Sequence, residues 1–225
     1  MPDPQDINEV WAEDKVLYTF LCLFLIQLQV YGGIKMGKIV LASSSPRRAT
    51  ILKKLKLDFA IIPSDYVEKH DETVFSYEFI EDLAYNKALD VAKKYRSEDF
   101  FVIGADTTVV FNNEMLGKPK NYNDAKTMLE NLSGNKHFVV TSHCVINSKT
   151  LEYKIKSVTT YVEFEKLTDE QIDNYINNYK PFDKAGAYGI QELPQGFVKK
   201  VEGELDNVIG LSSTAIEELL FKISK

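Results

Sequence analysis

The sequence predicts a mixed α/β domain, and three observations carry that prediction. Short apolar runs of strand length alternate with stretches of helical period along most of the chain. Two long β segments rich in Val, Thr and Tyr lie near residues 138–165, and the order of strands and helices gives a mixed sheet. The 225 residues, 44% apolar and 12% aromatic, suit one domain or one domain with two lobes, and they supply a real core.

Lys38–Ala42 reads as a short buried strand. Three serines and Pro46 then open a helix through Lys56, with Ser45 as N-cap and Ile51, Leu52 and Leu55 on one face. Phe59–Ile62 is a second strand. Ser76–Tyr95 is the longest helix, with Phe79, Ile80, Leu83, Ala84, Ala88 and Ala92 at helical spacing. A third apolar strand, Phe100–Ile103, ends in Gly104-Ala105-Asp106. Thr107–Phe111 continues as β structure into Asn112-Asn113, a hairpin-type turn. Asn123 starts a helix that Ser133-Gly134 closes after Leu132. Phe138–Asn147 and Tyr153–Glu165 are the long β segments. Thr168 caps a helix to about Tyr179. A loop, Asp183–Gln191, precedes a strand at Phe197–Val201, and Ser212 caps the closing helix. No repeat, low-complexity tract or linker comes after residue 36.

Residues 1–35 read differently from the domain at 36–225. The first fifteen are acidic and Val16–Ile34 carries no charge. Three readings compete: an extra helix packed on the domain, a membrane anchor, or an upstream extension with Met36 as the working start. The last is favoured, because Met36 leads directly into the first strand. The preceding acidic residues make a poor secretory signal, and Gln27 and Gln29 weaken a membrane span.

Thirty-three acidic side chains against 27 basic ones give a net charge of −6, which argues against a protein that grips nucleic acid. Cys22 and Cys144 are too few for a disulfide framework or a cysteine zinc site, and they imply thiols in a reducing, cytoplasmic setting. Arg47, Arg48 and Arg96 are the only arginines, and two of them are adjacent. Guanidinium forks suit phosphate and carboxylate in a way lysine cannot copy.

Several segments carry chemistry. In Ser43-Ser44-Ser45-Pro46-Arg47-Arg48 both arginines fall in the first helical turn, where the helix is already partially positive. A bound anion resolves that conflict, with N–H groups, serine hydroxyls and guanidiniums forming a cradle; solvated arginines are the bland alternative. Asp106 stands at the end of an apolar strand, where ligands bind in open α/β sheets. Lys118 sits between Gly117 and Pro119, and Lys87 on the inner edge of an apolar helix face. Glu68 opens a charged run that by itself reads as solvated. In the late loop, Tyr188 and Gln191 offer stacking and an amide for a base edge. The sequence has no P-loop, dinucleotide fingerprint, nucleophile elbow or HExxH motif, so phosphate chemistry here needs carboxylates, cations and a divalent ion.

Taken together, LASSSPRR (Leu41–Arg48), LAYNKA with Lys87, GADT (Gly104–Thr107), GKP (Gly117–Pro119), LSG (Leu132–Gly134) and DKAGAYGIQ (Asp183–Gln191) resemble the Maf family of nucleotide pyrophosphatases. The likeness spans about Lys38–Ile223. It implies a mixed-sheet α/β fold, elongated and two-lobed with a central cleft, like the inosine triphosphate pyrophosphatases. It implies hydrolysis of a nucleoside triphosphate to monophosphate and pyrophosphate with a divalent cation, Mg or Mn. Ser43, Arg47, Arg48, Glu68, Lys87, Asp106 and Lys118 stand at the family's active-site positions, Glu68 by its distance from the first motif. Asp106 and Glu68 would hold the metal. The late loop resembles the branch acting on dTTP and UTP, in which Arg47, Thr107 and Gln191 match positions linked to base choice. The sister branch, acting on 7-methyl-GTP, carries Glu in place of Gln191. This chain departs from the pattern at Glu192-Leu193-Pro194, where the family has glycine. Other substrates, modified nucleotides among them, remain open. So do a homodimer and a nucleotide-binding regulator of cell division with weak or no catalysis.

Overall fold

The computed structural model describes residues 38–68 and 73–225. Lys38–Ile223 form the unit whose fold is described. The readings for residues 1–35 and for the charged run 69–72 lie outside the described residues. No helix among those described is long and apolar enough to cross a membrane.

Seven strands form one mixed sheet: β1 (Lys38–Leu41), β2 (Phe59–Ile61), β3 (Phe100–Phe111), β4 (Glu114–Leu116), β5 (Lys136–Asn147), β6 (Tyr153–Phe164) and β7 (Val198–Glu202). The order is β2-β1-β3-β5-β6-β7, with β4 paired to β3. β1 runs parallel to both β2 and β3, and the remaining pairs are antiparallel. The helices are α1 (Pro46–Lys54), α2 (Tyr77–Lys94), α3 (Tyr122–Leu132), α4 (Asp169–Tyr179), α5 (Leu205–Ile209) and α6 (Ser213–Ile223). The mixed α/β class read from the sequence is therefore borne out.

Local chemistry explains most boundaries. Ser76 caps α2 by accepting from the Phe79 amide, and Asn121 caps α3 through the Asp124 amide. Thr168 and Gln171 form a reciprocal capping box at α4. The Ser212 hydroxyl accepts from the Ala215 amide at 3.1 Å. Asn112 and Asn113 have φ of 50° and 66°, the two positive values a type I′ hairpin turn needs. Ser45 occupies the N-cap of α1, but its side chain makes no capping bond.

One expectation needs correction, and one helix was not read from the sequence. The third strand does not end at Asp106. β3 runs unbroken for 12 residues through Gly104-Ala105-Asp106, because β5 pairs it continuously from Phe101 to Val110. The segment 205–209 has no helical signal in the sequence, yet it forms the short helix α5, pinned by the fully buried Asn207.

Topology creates the opening for a site. The parallel order β2-β1-β3 sends the chain first to one side of β1 and then to the other. Such a switch point leaves a crevice outside the carboxyl ends of the strands. β1 pairs with β3 only as far as Ile103, and β4 begins pairing at Val109. Residues 104–108 have no ladder partner on that edge among the described residues. One cluster packs α2 onto the sheet through Ala84, Ala88, Val91, Val102 and Ile146. A second, around Leu129, Phe164, Tyr175 and Tyr188, fixes α3, α4 and the late loop.

Candidate active site

The gap in the β3 edge opens into a cavity of about 1200 Å³. Alternation along the strand sends Asp106 and Thr107 to opposite faces. Both nonetheless line the cavity, since it wraps an edge that β1 and β4 leave free. Ser43, Arg47, Arg48, Glu68, Lys87, Lys118 and Gln191 line it too, so the cavity contains every residue singled out from the sequence.

Lys87 is the centre of the charge arrangement. It projects from α2, which lies unusually close to β3. A Cβ on Gly104 would collide with the Ala84 carbonyl oxygen and sit 2.8 Å from the Ala88 Cβ. That proximity brings the Lys87 ammonium to 2.5 Å from Asp106 Oδ1, and Glu68 Oε1 pairs with the same ammonium. The Lys87 and Asp106 side chains are only 15% and 14% exposed, so water screens the pair poorly.

Arg48 is held differently. Its Nε donates to the Gly210 carbonyl (2.9 Å), Nη1 to Ser43 Oγ (3.2 Å) and Nη2 to Thr107 Oγ1 (3.1 Å). All three acceptors are neutral, so no carboxylate among the described residues hydrogen-bonds this half-buried guanidinium. Burial pulls its pKa down and the charge of Asp106 opposes the shift; a guanidinium still keeps its proton. A fixed, desolvated cation without a contacting counter-ion favours an incoming anion.

Arg47 points to the late loop, where Nη1 donates to Asp183 Oδ2 at 3.1 Å. Lys118 is exposed and makes no ion pair among the described residues. The Ser43 hydroxyl also accepts from the Ser45 amide at 3.2 Å, which shapes the turn into α1.

The structure changes the reading of two residues and leaves that of Gln191 as it stands. The Tyr188 ring is 5% exposed, packs edge-to-face on His137 and Phe164, and its hydroxyl is 2.8 Å from His137 Nε2. It is a core anchor of the loop, not an open stacking face. The Thr107 hydroxyl is already shared among Arg48, Thr141 and the Gly210 carbonyl, so it orients Arg48. Gln191, by contrast, is exposed on the cavity lining with its amide unengaged by the described residues.

Sequence reasoning missed Gly210 and Asp183. Gly210 ends α5 with a φ of 127°, and its carbonyl receives Arg48. The short helix has no local signal, and nothing near it in sequence points to Arg48, 162 residues away. Asp183 reads in the sequence as no more than a capping residue. Burial pushes its carboxyl up, but hydrogen bonds from Lys184 and Arg47 outweigh that and hold it below the usual range.

A family model described as Maf-like protein matches residues 38–223. The chain belongs to the Maf family. Relatives of this Maf protein include the dTTP/UTP pyrophosphatase of Acetivibrio thermocellus, 44% identical over 190 residues, with 82% of this chain and 94% of that protein covered. The dTTP/UTP pyrophosphatase of Alkaliphilus metalliredigens is 44% identical over 187 residues, covering 83% and 96%. That of Thermoanaerobacter sp. (strain X514) is 44% identical over 183 residues, covering 81% and 95%. A solved nucleoside-triphosphatase / dITP/XTP pyrophosphatase from Mycobacterium abscessus superposes with a TM-score of 0.39 at 18% identity over 58% of this chain and 75% of that one, too loose to bear weight.

Proposed function

We propose that this protein is a nucleoside triphosphate pyrophosphatase of the cytoplasm that converts dTTP and UTP to the monophosphate and pyrophosphate. The observation that carries this reading is the meeting of Lys87 with Asp106 and Glu68 in a cavity that Arg47, Arg48 and Lys118 also enter. Binding a nucleotide needs cations; placing two carboxylates among them suits hydrolysis. The choice of dTTP and UTP is supported by relatives of that name at 44% identity.

The donor set fits a divalent cation. Glu68 and Asp106 converge on one ammonium, so both offer hard oxygens to one small region. Among the described residues no group of three or more His, Cys, Asp or Glu side chains could hold a metal ion, so Glu68 and Asp106 are the residues that would hold it. When bound there, the ion supplies charge neutralisation and acidifies water.

In the reaction a water oxygen bonds to the α-phosphorus while the bond from that phosphorus to the bridging oxygen breaks. Pyrophosphate leaves with the bridging oxygen. Asp106 orients the water and takes up its proton. Arg47, Arg48 and Lys118 hold the charge that grows on the departing group. Lys87 holds Asp106 in place through their ion pair. Arg47 must trade Asp183 for phosphate, an exchange between two oxyanions at one rim.

Pyrophosphate release from a panel of UTP, dTTP, CTP, GTP and 7-methyl-GTP, with and without EDTA, tests the reading. Release from UTP and dTTP that EDTA abolishes is expected. Preference for 7-methyl-GTP would overturn the substrate choice, and tight dTTP binding without pyrophosphate would favour the regulator.

A further inference from the structure

We infer that Lys184 is a positioning residue that sets base selectivity by pinning the loop on both sides of Gln191; the inference rests on the proposed pyrophosphatase activity. Lys184 itself is nearly buried, with its side chain 8% exposed. Its ammonium lies 2.7 Å from Asp183 Oδ1 and 3.1 Å from Glu192 Oε2. Its stem lies directly under Gly189, where a Cβ would stand 2.8 Å from Lys184 Cε and 2.9 Å from Cδ. Gln191 falls between Gly189 and Glu192, the residue folded over the Lys184 stem and the residue paired with its ammonium. The Glu192 amide closes the turn on the Gly189 carbonyl at 2.8 Å, so a single side chain fixes the whole curl.

Direct phosphate binding by Lys184 is the competing role. Two carboxylates already satisfy this ammonium, and burial makes releasing it from them costly. Arg47, Lys118 and Lys120 are accessible cations on the same cavity. Asp183 also bridges Lys184 to Arg47 through its other oxygen at 3.1 Å. The charges therefore alternate Arg47, Asp183, Lys184, Glu192 along the rim, from the phosphate-facing turn to the base-facing loop.

The test is a comparison of Lys184→Met, Lys184→Arg and Glu192→Gln with the wild-type chain on UTP, dTTP, CTP and GTP, with melting curves alongside. Lys184→Met should lower kcat/KM for UTP and dTTP about tenfold, almost wholly through KM, with kcat held within about threefold. The preference for UTP over CTP should shrink by a similar factor. Glu192→Gln should move both quantities the same way but less, and Lys184→Arg should restore part of the loss. Glu192→Gln keeps the shape of the site and reads the same effect if Lys184→Met fails to fold. An equal loss on all four nucleotides would mean that Lys184 binds phosphate, and unchanged KM and selectivity in a folded Lys184→Met would mean that it positions nothing; either overturns the inference. A wild-type chain that releases no pyrophosphate from UTP or dTTP defeats the functional reading itself, and dTMP affinity in the same variants then decides on Lys184. Weaker dTMP binding in Lys184→Met upholds the pinning role, and equal affinity rejects it.

Discussion

Arg48 and Gln191 illustrate two ways in which a side chain can be readied for a ligand. Arg48 is spent on three neutral oxygens that fix its direction, and no carboxylate among the described residues opposes its charge at contact range. Gln191 has no partner among the described residues, so its donor and acceptor both remain for a base edge. Uracil and thymine present an imide N–H between two carbonyls, and an amide can donate to one carbonyl and accept from the N–H. Gln191→Glu removes the donor and adds a charge. It should lower kcat/KM for UTP and dTTP by about tenfold or more and raise the relative rate on 7-methyl-GTP. Steady-state kinetics on the three nucleotides reads the change, and an unaltered ranking would rule out this role for Gln191. Such residues were legible in the sequence because their types conflict with a purely structural role. Two arginines at the positive end of a helix, and an acid at the end of an apolar strand with no turn residue after it, are local contradictions. Asp183 and Gly210 carry no local contradiction, and only the fold shows that they meet the arginines.

At the scale of elements, the decisive contact is α2 against β3. Gly104, Ala84 and Ala88 let helix and strand approach until Lys87 reaches Asp106. Gly104→Ala forces a Cβ into backbone atoms that no rotamer change can clear. It should cost about 1–3 kcal/mol and lower the melting temperature by several degrees. Turnover should fall with it, since Lys87 is carried away from Asp106. Calorimetry paired with pyrophosphate release checks both, and an unshifted melt would mean that the helix has room to spare. Helices, caps and turns were readable because their signals are local: Thr168 as a cap, Asn112 with Asn113 as a turn, the alanines of α2. The continuity of β3 was not. The sequence around Gly104-Ala105-Asp106 reads as a strand end, and only the unbroken ladder from β5 carries it through. Helix α5 escapes notice for the same reason, since five residues held by buried Asn207 owe little to periodicity.

For the molecule as a whole, strand order places the cavity. The parallel trio β2-β1-β3 supplies the switch point, and the shortfall of β1 along β3 supplies the open edge. The class of fold was legible from alternating patterns, whereas which strand stops short of which depends on long-range pairing. The same long-range packing buries His137 and His143. Burial lowers both from an ordinary value of 6.5 to about 4. His143 Nε2 accepts from the Ser212 amide at 2.8 Å, so this ring must stay neutral there. Between these values the unfolded chain binds protons that the folded chain refuses, so stability falls as pH drops from about 6.5 toward 4. Each histidine can contribute up to about 3 kcal/mol to that loss. Urea melts at pH 7 and pH 5 check the direction, and equal stability at both would show that neither ring is held neutral.

The proposed chemistry stands or falls on Asp106 as the group that directs water at phosphorus within a ring of cations. Turnover of dTTP by folded Asp106→Asn in Mg²⁺ measures this most directly. The predicted result is a loss on the order of 10²-fold or more with dTTP still bound; turnover near that of the unaltered chain would contradict it.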